Sequence, residues 1–505
     1  MTNVRNPFFL EDDPGATMTQ GWYSAWNTAV SPFAVAAESA QDVAAAVDFA
    51  RTHDVRLVVK GTGHDYLGRS NAPDSLLVWT HRMRSVVFDQ AFRPAGSSGP
   101  AVPALSIAAG ARWLEAYKAA ADSGHYVQGG GCTSVGASGG FIQGSGFGSF
   151  SKRFGTGAGG VLEFEVVTAD GEIRVANASR NPDLFWALRG GGGGTWGIVT
   201  RTTLLAHPIP DSMGVLGGTI TAQDDAAFRE LLLRLSSFLH TVNNPSWGEQ
   251  ITITSDNKLD FGMVFLDLTE QQARATWQPL LQWVANQGSR MQAGLTFATL
   301  PFKDQWNAEY WDGTNPKFIT HDPRQGAPPW RYWWASNQNE VSWYIASYQS
   351  RWLPVSFLDR PQELADLMFE ASRHNDFSLH FNKGLAGESP DARARDVQTC
   401  LNPAAFDAAA LIIVASGDQQ TFPGVPGFEP NSTQLEAERS KVDAATNVFR
   451  AAMPQSGSYA NEADYFETDW QNQFWGTNYE RLLAIKRKYD PGMVFRAHHG
   501  VGSDL

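Results

Sequence analysis

Apolar and polar positions along the chain alternate between a helical and a strand period. Behind Ser39, an N-cap residue type, residues 40–53 place Val43, Val47 and Ala50 on one helical face. The apolar run 55–60 then reads as a strand. Residues 105–109 and 111–123 repeat that pairing of strand and helix. Alternating apolar residues over 161–176, folded at Asp170-Gly171, predict a hairpin with a two-residue turn. A short helix at 182–189 and a strand at 196–206 follow, while residues 1–30 show neither period and read as irregular.

The proline-rich HPIPD at 207–211 marks a domain boundary. Beyond it, helices at 224–240, 270–286 and 361–373 alternate with strand runs at 250–254, 259–266, 377–381 and 408–415. This pattern predicts a separate α+β domain whose sheet presents one face to a ligand. A turn at Pro454–Ser458 closes it, and an aromatic segment at 459–475 leads to a last helix at 478–488. The expected organisation is an α+β chain in three pieces: 1–209, a substrate-type domain over 210–455, and a C-terminal segment 456–505. No repeat of 20–50 residues is visible.

A chain of 505 residues needs more than one core. With 43% apolar and 18% charged residues it is globular, and no run approaches the 18 apolar residues of a membrane span. A net charge of −13 argues against nucleic acid or an anionic membrane as a partner. The N-terminus lacks the features of a signal peptide, so the expectation is a cytoplasmic protein, or a secreted one if such a peptide has been removed. Two cysteines, Cys132 and Cys400, make no disulfide framework and no CxxC zinc site. Eighteen tryptophans, clustered in part at 328–335, read either as core or as a stacking surface for a sugar or aromatic ring.

Chemistry concentrates in two small-residue loops. Residues 125–150 hold nine glycines and Cys132, a composition suited to backbone that approaches an anionic cofactor closely. Gly61-Thr-Gly-His-Asp-Tyr-Leu-Gly68 follows the 55–60 strand and presents His64. Imidazole and thiolate are both nucleophiles, and the joint reading is one flavin held between the loops. His64 as an ordinary loop histidine and Cys132 as an inert thiol are the plainer readings. Gly192–Gly197 matches GxGxxG, but it follows a helix and precedes a strand, the reverse of the dinucleotide-binding context. Cys400 reads as structural, and His498-His499 lacks the further ligands a metal needs. Tyr459, Asn461, Glu462 and Tyr465 form either a solvated surface or the source of a general base.

Four segments in order, GTGHDYLGRS at 61–70, GGGCTSVGASGGFIQGSGFG at 129–148, NPDLFWALRGGGGGTWGIVT at 181–200 and FWGTNYERLLAIKRKYDPGMVF at 474–495, resemble the berberine bridge enzyme-like branch of the vanillyl-alcohol oxidase superfamily of FAD-linked oxidases. The resemblance implies an FAD domain of two α+β subdomains, completed by the C-terminal segment. A substrate-domain sheet would cover the flavin. It implies 8α attachment at His64 and C6 attachment at Cys132. Flavin contacts would come from Gly61, Thr62, Gly63 and Asp65; from Gly129, Thr133, Ser134, Val135, Gly136, Gly139, Gly140 and Gly144; from Gly197, Ile198 and Val199; and from Asn478. Substrate hydride would pass to flavin N5, and O2 would become H2O2, with Ala137 leaving room for oxygen. Many relatives read Tyr-x-Asn-Tyr where this chain reads Tyr459-Ala-Asn461-Glu462, so the expected base is Glu462, or Tyr459 acting with it. The substrate would be a small alcohol, sugar or aromatic compound. A flavin dehydrogenase or oxidative-cyclisation enzyme is the alternative, and a non-catalytic ligand-binding member is a third.

Overall fold

The computed structural model describes residues 2–504. Its largest feature is a nine-stranded sheet. In spatial order the strands are Met291–Pro301, Ser212–Ala222, Lys258–Leu266, Trp247–Ile253, Phe377–His380, Ala408–Gln419, Trp343–Pro354, Thr19–Trp22 and Trp26–Asn27. Every pairing is antiparallel except that of Thr19–Trp22 with Trp343–Pro354, which is parallel.

Four helices bury their apolar stripes in one core with this sheet. Asp225–Val242 contributes Phe228, Leu231, Leu232, Leu235 and Leu239, the spacing of one helical face. Glu270–Ala285, Pro361–Ser372 and Ser432–Ala452 supply the rest. Helices on one side leave the other side of the sheet free to face a ligand.

The remainder is built on two smaller sheets. Phe33–Ala36, Ser75–Trp79 and Arg56–Lys60 run parallel, with helix Ala40–His53 packed beside them. That helix starts with a capping box in which Ser39 and Asp42 exchange hydrogen bonds. The second sheet is antiparallel, in the order Ile173–Ala176, Val161–Val167, Ile198–Leu205, Val102–Ala108 and Val86–Phe92. The hairpin at Asp170-Gly171 forms as expected, with Ile173 opposite Val167. The last helix, Tyr479–Tyr489, returns to this part. Its Lys486 is buried and donates to the Thr195 carbonyl at 2.7 Å and to Asp490 at 2.5 Å.

Residues 1–30 depart from expectation. They hold a helix at Pro7–Glu11, and Thr19–Trp22 extends the large sheet. A four-residue strand carries too little periodicity to read, and its partner lies more than three hundred residues away. No helix among the described residues is long and apolar enough to cross a membrane.

Candidate functional site

Two loops and one sheet face enclose a cavity of ≈ 860 Å³. The first loop leaves strand Arg56–Lys60 at Gly61. Asp65 accepts hydrogen bonds from the Arg69 backbone and guanidinium, which folds the loop back on itself. The second loop follows His125–Tyr126 and is pinned at several points. Trp113 and Leu114 N–H groups donate to the Val135 and Thr133 carbonyls, and Gly136 N–H donates to Thr62 Oγ1 at 2.9 Å. The Tyr117 hydroxyl donates to the Gly130 carbonyl at 2.6 Å. From the tryptophan cluster, Trp334 Nε1 donates to the Gly131 carbonyl at 2.9 Å, and Thr133 Oγ1 donates to the Tyr332 carbonyl. Gly129 must be glycine, since a Cβ there would lie 2.2 Å from the Trp113 ring.

Of the sequence-predicted residues, Gly61, Thr62, Gly63, His64, Asp65, Cys132, Val135, Gly136, Gly139, Gly140, Gly197, Ile198 and Val199 line this cavity. So do Tyr459, Asn461 and Glu462. Gly129, Thr133, Ser134 and Gly144 stand one layer behind, the last because Asn461 packs where its Cβ would be. Asn478 corrects the expectation of a flavin contact. Its amide donates to the Cys400 and Leu401 carbonyls at 3.3 and 2.9 Å and ties the last helix to that loop. Ala137 is likewise fully buried in the core behind the loop, not at the cavity wall. Cys400 is buried, with Sγ against the Arg189 carbonyl. Of the histidine pair, His498 stacks on Tyr465 with ring centroids 3.8 Å apart.

His64 and Cys132 meet at one hydroxyl. Ser134 Oγ lies 3.0 Å from His64 Nε2 and 3.4 Å from Cys132 Sγ. Behind His64, Glu11 Oε1 is 3.5 Å from the same ring nitrogen, and Glu11 is fully buried against Arg112. Burial pushes the Cys132 thiol up to about 12, and the negative charge of Glu340 adds to this while Ser134 opposes it.

Across the cavity stand residues that no motif announced. Lys383 Nζ contacts Glu462 Oε2 at 2.5 Å. Burial raises the Tyr459 hydroxyl well above its ordinary value, as does the charge of Glu462. Burial also raises Glu249 and Glu340, against the cation of Lys383. Glu249 sits inside strand Trp247–Ile253 with φ 64°, a left-handed conformation costly for a non-glycine residue. Strand alternation would send its side chain with Trp247 and Ile251 into the helix-side core, yet it lines the cavity and accepts from Ser149 Oγ. A charged residue within an apolar strand run was the one sequence signal for it.

Comparison with known proteins decides the family. A model described as "FAD binding domain" matches residues 32–177, and one described as "Berberine and berberine like" matches 458–502. An FAD-linked oxidoreductase of Arthroderma benhamiae is 31% identical over 94% of this chain and 78% of its own length. The flavoprotein oxidase VAO615 of Thermothelomyces thermophilus is 31% identical over 94% of this chain and 76% of its own.

The chain belongs to the berberine bridge enzyme-like, VAO-type FAD-linked oxidoreductases.

The crystal structure of MtVAO615 from Myceliophthora thermophila superposes with a TM-score of 0.76 at 29% identity, covering 94% of this chain and 80% of that one. Glucooligosaccharide oxidase from Acremonium strictum, described as an enzyme of 6-S-cysteinyl, 8α-N1-histidyl FAD, shares the fold at a TM-score of 0.71 and 22% identity, over 97% of this chain and 95% of that one. The residues of this oxidoreductase fit FAD. A Cβ built at Gly139 or Gly140 would meet nothing within 4 Å, so the cavity wall there is bare backbone open to a close-lying group.

Proposed function

We propose that this protein is an FAD-dependent oxidase acting on an alcohol, its flavin held by 8α attachment at His64 and C6 attachment at Cys132. The supporting observation is the convergence of both side chains, from separate loops, on one hydroxyl at the wall of one cavity. Bound there, FAD would supply a hydride acceptor for the donor carbon and a route for two electrons to O2, giving H2O2.

The protein must then remove the hydroxyl proton of the substrate. Glu462 suits that task because it lines the cavity with its carboxylate held against Lys383 Nζ. Glu249 suits it less, since its surroundings favour the neutral acid, which donates a hydrogen bond rather than taking a proton. Tyr459 stays a phenol, and Asn461 Nδ2 donates to its oxygen at 3.2 Å, so the pair positions substrate beside Glu462. The polar lining, with Gln250, Asn382 and His380 beside these groups, accepts a hydroxyl-bearing substrate such as a sugar or phenolic alcohol. The proposed organisation is 1–209, 210–455 and 456–505, with Thr19–Trp22 and Trp26–Asn27 lent to the large sheet.

The test is direct. Denatured protein is expected to retain the mass of one FAD, and an anaerobic screen of alcohols, sugars and phenols is expected to find donors that bleach the flavin. Admitting air should then yield one peroxide per turnover. Bleaching without peroxide would make the protein a dehydrogenase.

A further inference from the structure

Resting on the reading of a doubly attached flavin, we infer that Ser134 and Glu11 are positioning residues for the attachment itself, acting on both nucleophiles through the shared hydroxyl. Ser134 is fully buried in the second loop, and the hydrogen-bond partners of its hydroxyl are His64 Nε2 and Cys132 Sγ. A hydroxyl has one hydrogen to give and lone pairs to accept. Accepting from His64 Nε2–H, it fixes the tautomer that leaves the Nδ1 lone pair free. Its own hydrogen then points at the Cys132 sulfur and stabilises the thiolate.

Glu11 completes the arrangement. Its Oε1 is buried, has no hydrogen-bond partner among the described residues, and lies 3.5 Å from His64 Nε2. An unpaired buried oxygen is costly, and a positive charge on the imidazole relieves that cost. Attack through Nδ1 creates such a charge. Arg112 joins the parts. Its guanidinium pairs with the other Glu11 oxygen, while its backbone bridges to Gly136 beside Ser134.

The chemistry balances with oxygen as oxidant. At His64 an N–C bond forms to the ring methyl and one methyl C–H breaks. That hydrogen and the imidazole N–H hydrogen, with the bonding electron pair, leave the ring reduced by two electrons. At Cys132 an S–C bond forms at C6, the S–H and C–H hydrogens are transferred, and the ring is again reduced by two electrons. Each time O2 takes two electrons and two protons and leaves as H2O2.

The test follows covalent attachment, not turnover. Full-length apoprotein from flavin-starved cells is incubated in air with FAD, denatured at intervals, and scored by intact mass and in-gel flavin fluorescence. The His64 link is read in Cys132→Ala and the Cys132 link in His64→Ala. Ser134→Ala is expected to slow both links at least tenfold while FAD still binds non-covalently, and Ser134→Thr to restore them. Glu11→Gln is expected to slow the His64 link alone, and it carries the test if Ser134→Ala does not fold. Attachment at the parent rate in Ser134→Ala or in Glu11→Gln, or slowing of only one link by Ser134→Ala, would overturn the inference. A parent protein of bare apo mass would instead sink the attachment reading beneath it.

Discussion

The two walls of the cavity are built by opposite rules. The wall carrying His64 and Cys132 consists of loops whose glycines, turns and nucleophiles lie within short stretches of chain. The facing wall, with Glu249 in strand Trp247–Ile253 and Lys383 just beyond Phe377–His380, lies on a sheet whose members come together through strand pairing across the domain. Local chemistry on one side meets long-range geometry on the other. Groups that hold a cofactor can be announced by a motif, whereas groups that handle a substrate are set by register.

The largest effect expected from breaking the first wall is complete. His64→Ala with Cys132→Ala should leave no flavin mass on the denatured chain, and either single substitution should leave one link. On the second wall, Glu462→Gln should slow anaerobic flavin reduction by about 10²–10⁴-fold, the usual worth of a general base. Glu249→Gln should stay within about tenfold of the parent, because a neutral acid and an amide donate alike. Stopped-flow bleaching measures both, and a reversed order would move the base to the sheet. A smaller effect tests the motif at 474–495. Asn478→Ala should leave flavin attachment intact and cost about 1 kcal/mol of stability, the worth of the bonds to Cys400 and Leu401.

A pH effect is expected at the seam between the two parts, where Thr156 of one donates to Asp396 of the other. Burial, together with the charge of Asp396, raises Glu388 to about 8 from 4.5. A carboxyl raised on folding keeps its proton in the native state, so its contribution is full below about pH 4.5 and is lost as pH rises toward 8. Tm should therefore fall across that window, and Glu388→Gln should flatten the slope.

Much of this was legible in the sequence because much of it is local. Helix Ala40–His53 matches its predicted span, since its cap and its apolar face lie within fifteen residues. His64 and Cys132 announced themselves through the glycines around them. Strand Trp343–Pro354 did not, because it is buried along nearly its whole length and alternation vanishes. Helix Ser432–Ala452 is mostly polar, with a thin buried stripe of Leu435, Val442, Ala445 and Phe449, and it also went unread. Lys383 lies just beyond strand Phe377–His380, and nothing near it in the chain hints at Glu462 as its partner. Asn478 erred the other way, since membership of a motif suggested a ligand contact where the side chain holds two carbonyls.

The parallel pairing of Thr19–Trp22 with Trp343–Pro354 joins segments distant in the chain. Glu11 lies just upstream of that pairing, and its helix is tied to the later part of the chain by Asn6, whose amide donates to Asp322 at 2.7 Å. On the proposed attachment, the rate of the His64 link would then report whether those distant segments have met.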